Sequence, residues 1–157
     1  MKIRALIATS FVVWISAVVV QPFRAAEVVV QPFRAADAAQ EKPTTNDGIY
    51  TKEQADKASA QYAKICADCH PFTVAGKKKP KDRPLGEEPF FEEWEGRPVA
   101  DLINNIHLTM PNDGSATLTE QEATDLTAYI LQQNGFPAGK KPLARASATA
   151  VIQRPKK

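Results

Sequence analysis

Cys66-Ala67-Asp68-Cys69-His70 decides how this chain is read. Two thiols two residues apart, followed at once by an imidazole, form the attachment pattern for a covalently bound haem. The spacing has a physical reason. On a helical turn, positions i, i+3 and i+4 share a face, so Cys66, Cys69 and His70 can all point at one flat object. The thiols would form thioethers to the two vinyl groups of the porphyrin, and His70 would supply the proximal nitrogen to iron. Two other readings use the same residues. A thioredoxin-like Cys-x-x-Cys site belongs in a strand-helix-strand setting, and no such pattern surrounds Cys66. A closed structural zinc needs four ligands, and beyond this stretch the chain offers no cysteine and one further histidine, His107.

N-terminal to the motif, the helical pattern begins at Thr51. Thr51-Lys52-Glu53-Gln54 has the form of a capping box, and Ala55, Ala58, Tyr62 and Ile65 recur at helical spacing up to Cys66. Residues 39–48 are polar, contain Pro, Asn and Gly, and read as a linker. Before them, Met1-Lys2-Ile3-Arg4 is a short basic start and Ala5 through Val20 an apolar run, which together fit a secretory signal peptide over residues 1–38. An uncleaved N-terminal anchor is the alternative, and it is the one case in which a membrane enters. VVVQPFRAA occurs twice, at Val18–Ala26 and Val28–Ala36. Two copies do not make a solenoid, and the best small-x-small cleavage site lies at Ala36-Asp37-Ala38. Export predicts a periplasmic protein.

C-terminal to the motif, Pro71–Pro89 reads as a loop, with a strongly basic stretch from Lys77 to Arg83 that is a solvated surface or a steering patch for an acidic redox partner. Short helices are expected over Phe90–Gly96 and Asp101–His107. Met110 then stands alone before Pro111, outside any apolar stripe, and it is the chain's only methionine besides the initiator. A thioether is a soft ligand that suits haem iron. Met110 is favoured over His107 as the sixth ligand, because His107 closes an apparent helix. The last helix is Thr119–Asn134, opened by a second capping box at Thr119-Glu120-Gln121-Glu122, striped by Leu126, Tyr129 and Ile130, and stopped at Gly135. Residues 140–157 are basic and aperiodic and read as a flexible tail.

Composition sets outer bounds. The chain has 157 residues, 43% hydrophobic and 24% charged, which suits one globular domain. Residues 1–38 carry Lys2, Arg4, Arg24 and Arg34 against Glu27 and Asp37, so the rest of the chain is evenly charged despite the formal +2. A domain-wide basic footprint is missing, which disfavours nucleic acid.

With these residues in place, the chain resembles a small monohaem class I cytochrome c over residues 49–139. The resemblance rests on Cys66-x-x-Cys69-His70, Tyr62, Phe90-x-x-x-Trp94, Thr109-Met110-Pro111 and Leu126-x-x-Tyr129-Ile130. It implies an all-α fold in which the first and last helices cross around one covalent haem c, with His70 and Met110 as axial ligands and Trp94 near a propionate. It also implies a single-electron carrier and no bond-making catalysis. Residues 94–102 and 129–139 look like cytochromes that accompany quinoprotein alcohol dehydrogenases. The implied partners are therefore redox proteins, such as a quinoprotein dehydrogenase or a terminal oxidase. Pro71 stands where the family usually has glycine, and the carbonyl that accepts the His70 ring N–H falls to Pro80 or Pro84. Three other readings are weighed against this one: a peroxidase or sensor with an open or bis-His haem, a haem-free thiol-disulfide oxidoreductase, and a binding module that holds an acidic partner through the basic loop.

Overall fold

A computed structural model describes residues 42–156; the expected signal peptide, its repeat and the start of the linker lie outside the described residues. Within them the fold is all-α. Four helices, α1 (Lys52–Ile65), α2 (Glu87–Trp94), α3 (Val99–Thr109) and α4 (Glu120–Gln133), are joined by loops holding three single 3-10 turns, and no strand is present among the described residues. No helix in that range is long and apolar enough to cross a membrane.

α1 packs on α4, and both start where the capping residues predict. Thr51 accepts from the Gln54 N–H at 3.2 Å. Only half of the expected box forms there, because the Gln54 side chain turns inward. Its Nε2 donates to Asp125 Oδ1 at 2.8 Å and to the Leu143 carbonyl at 2.9 Å, and its Oε1 accepts from the Leu143 N–H at 2.7 Å. An amide carries both a donor and an acceptor, so Gln54 satisfies a buried peptide that a second acid could not. The box at Thr119 and Glu122 is complete. Gln61 to Glu122 and Gln132 to Asp56 add bonds of 2.9 Å between the two helices. Ala55, Ala58 and Ala123 are buried on the facing sides, where small side chains let backbones approach.

The entry to α1 and the exit from α4 are pinned together. A Cβ on Gly139 would lie 1.7 Å from the Gly48 carbonyl oxygen, so no other residue fits there without displacing the backbone. Tyr50 reinforces the junction: its carbonyl accepts from the Gly139 N–H at 2.6 Å and its hydroxyl donates to the Phe136 carbonyl at 2.5 Å.

Three expectations are corrected here. The loop expected to run to Pro89 ends at Gly86, and α2 begins at Glu87. Pro89 is its third residue, inside the first turn, where a missing N–H costs nothing. The described part of the expected linker, residues 42–48, is not bare, since Thr44 caps a 3-10 turn and Thr45 is fully buried. The segment 140–157 is not a loose tail. Leu143, Ala148, Ala150 and Ile152 are buried in the core. The carbonyls of Ala150 and Ala148 accept from Val99 and Ala100 at 2.8 and 2.9 Å. Those are first-turn N–H groups of α3, which Pro98 at the cap position cannot satisfy with a side chain. The basic strap therefore caps a helix, and its aperiodic sequence hides that.

Candidate functional site

α1 ends at Cys66, and the chain keeps turning through the motif. The N–H groups of Cys69 and His70 both donate to the Cys66 carbonyl, at 3.1 and 2.9 Å. Cys66 is half-buried and Cys69 exposed, and both thiols are free. Burial pushes the Cys66 thiol up to about 11.

The His70 ring is held from behind. Its Nδ1 lies 2.9 Å from the Arg83 carbonyl, and a carbonyl can only accept, so Nδ1 carries the proton. In the neutral ring the lone pair then sits on Nε2, the state a metal-ligating histidine needs. The acceptor is therefore neither Pro80 nor Pro84 but the residue before Pro84. The pairing extends on either side, from the Arg83 N–H to the Cys69 carbonyl and from the Leu85 N–H to the Pro71 carbonyl, both 2.9 Å. Pro71 fits because only its carbonyl is used. A Cβ on Gly86 would come within 2.1 Å of the Phe72 carbonyl oxygen, so glycine permits this close return. Tyr62 supports the other flank: its hydroxyl donates to the His70 carbonyl at 2.5 Å, and its ring stacks on Phe72 with centroids 4.7 Å apart.

His70 and Met110 line one crevice of about 560 Å³, together with Leu85, Trp94 and Asn105. Such a volume is ordinary for a cofactor site. The same five residues also line an adjoining inner hollow whose wall is mostly apolar, with Ile65, Leu102, Ile106, Leu126 and Ile130, and with Cys66. Trp94 is 5% exposed, and the Arg97 guanidinium lies 4.4 Å from its ring centroid. His107 lines neither hollow. It faces a separate surface recess with Leu108, Thr109, Pro111 and one side of Met110.

The residues fit a covalent haem. Two free thiols, an imidazole with its lone pair oriented, a thioether and an apolar wall are the donor set such a group requires. Among the described residues, no group of three or more His, Cys, Asp and Glu side chains is placed to hold a bare metal ion. The sequence reading missed the Arg83 carbonyl, Leu85 and Asn105. A backbone acceptor leaves no trace in side-chain chemistry, and the only available hint was that it precedes a proline.

Comparison with known proteins gives one family. A family described as cytochrome C oxidase, cbb3-type, subunit III matches residues 53–130. No curated protein and no solved structure matches the chain.

Proposed function

We propose that residues 53–130, which match the family described as cytochrome C oxidase, cbb3-type, subunit III, form a class I c-type cytochrome domain, and that the protein carries single electrons on one haem c with His70 and Met110 as axial ligands. One observation carries the reading: His70, with Nδ1 committed to the Arg83 carbonyl, lines with Met110 both the crevice and the apolar hollow beside it, whereas His107 lines neither. Bound there, haem supplies a one-electron couple between ferrous and ferric iron.

The chain's own residues hold, orient and desolvate. Cys66 and Cys69 would anchor the group through their sulfurs. His70 presents Nε2, and Met110 offers its thioether from the C-terminal end of α3. Leu102, Ile106, Leu126 and Ile130 keep water from the inner face, which sets the potential together with the axial pair. Were His70 and Met110 both to ligate the iron, no position would remain on it for a substrate, and transfer would be favoured over peroxidase or sensor chemistry.

The matched family's description names an oxidase subunit, which supports a terminal oxidase as acceptor. The resemblance at residues 94–102 and 129–139 supports a quinoprotein dehydrogenase as donor. The apolar run after Lys2 and Arg4 supports export to the periplasm before haem attachment.

The test is the absorption spectrum of the oxidised, haem-matured protein beside Met110→Ala. The far-red band from sulfur bound to ferric iron is expected in the wild type and absent in the variant. A coloured wild type without that band would place another ligand, or none, opposite His70. A colourless one would remove the haem altogether.

A further inference from the structure

Asp82 is a carboxylate only 2% exposed, and between Pro71 and Leu85 it is the one buried residue. It sits among Lys77, Lys78, Lys79 and Lys81, yet no ion pair joins it to any of them among the described residues; Lys79 Nζ reaches Asp68 instead, at 2.6 Å. Asp82 is spent on the backbone. Its Oδ2 accepts from the N–H groups of Lys78 and Lys79 at 2.8 and 2.9 Å, and its own N–H donates to the Lys79 carbonyl at 3.1 Å. Those N–H groups hold its carboxyl below the usual carboxylate range, Lys78 first. Oδ1 is buried without a hydrogen-bond partner.

A buried carboxylate costs free energy unless its bonds return it. Here they close a turn that little else could hold, because Pro80 and Pro84 lack N–H donors and the lysine side chains lie in solvent. The residue after Asp82 is Arg83, whose carbonyl accepts the His70 ring proton at 2.9 Å. A rotation of the peptide chain at 82–83 would carry that carbonyl away.

We propose that Asp82 is a positioning residue for His70: by closing the turn over residues 78–82, it holds the Arg83 carbonyl where it fixes the imidazole. The inference rests on the reading of His70 as the iron ligand. It gives the stretch from Lys77 to Arg83 an inward-facing task alongside its surface charge. The neighbouring acid Asp68 does not share that task, since it meets a lysine side chain and no backbone donor of the turn.

The experiment follows exchange of the His70 Nδ1 proton by NMR in the ferrous, haem-matured protein. In Asp82→Ala the proton exchanges roughly tenfold faster, the scale of one lost hydrogen bond at a ligand's support. Amide exchange in α4 stays as in the wild type, which a general loosening would not allow. Asp82→Asn keeps an oxygen for both N–H groups and stays within about twofold of the wild type, and so does Lys79→Met, which removes only the pair with Asp68. If Asp82→Ala does not fold, Asp82→Glu takes its place; it keeps the charge but displaces the carboxylate, and roughly fivefold faster exchange is expected. An unchanged rate in Asp82→Ala or Asp82→Glu, or an Asp82→Asn rate equal to that of Asp82→Ala, overturns the proposal. A wild type without haem, or with a His70 resonance unshifted by it, overturns this inference together with the functional reading. A shifted resonance with no response to Asp82 overturns this inference alone.

Discussion

His70 owes its usefulness to an atom that is not a side chain, the Arg83 carbonyl oxygen. At the scale of single residues this divides what the sequence could tell from what it could not. Cys66, Cys69, His70 and Met110 carry their chemistry in unusual side-chain atoms; His70 and Met110 line the crevice, Cys66 joins them in the hollow beside it, and Cys69 lines neither. Arg83 acts through a group every residue owns. Gly139 was equally silent, for its value lies in lacking a Cβ. Gly139→Ala places a carbon 1.7 Å from the Gly48 oxygen, so one backbone segment must give way. A loss of about 2 kcal/mol or more in urea unfolding is expected, within the range of forced backbone strain. A change within error would mean that the junction of Gly48 and Gly139 is slack.

Elements were easier to read than their edges. α1 and α4 begin where Thr51 and Thr119 announce them, because a cap is a local hydrogen bond between neighbours in sequence. Gln54 broke the analogy between the two starts, since its partners, Asp125 and Leu143, are remote in the chain and could not be paired from spacing. At the start of α4, the Thr119 N–H and hydroxyl and the Gln61 amide hold the Glu122 carboxyl below its ordinary 4.5. A depressed carboxyl gives stability that is present above the unfolded value and lost as pH falls through the folded one. The melting temperature of Glu122→Gln should therefore lie below that of the wild type at pH 7, with the gap narrowing from 4.5 downward. A gap that stays constant to acid pH would leave the ionised carboxylate without a role. Thr119→Ala removes the other half of the box and should cost about 1 kcal/mol.

The whole molecule departs most from its sequence at its C-terminal segment. Lysines, alanines and prolines at 140–157 show neither a helical nor a strand period, so pattern reading leaves them in solvent. Burial there is set instead by an extended strap that uses alternate small and branched side chains and lends carbonyls to α3. Ile152→Ala tests that placement. Ile152 is fully buried, so its truncation should cost about 3 kcal/mol in chemical denaturation, whereas a residue of a free tail would cost nothing measurable. The strap also meets the segment before α1: Thr45 donates to the Val151 carbonyl at 3.0 Å and Val151 to the Pro43 carbonyl at 2.8 Å, in a parallel pairing. Parallel segments pulled by their outer ends slide along one another instead of peeling, so their bonds share the load. Tension applied at residues 42 and 156 would thus be met first by this clasp, before it reached the turn behind His70. Stretched between two attachment points, the domain would keep its crevice intact until the clasp gave way.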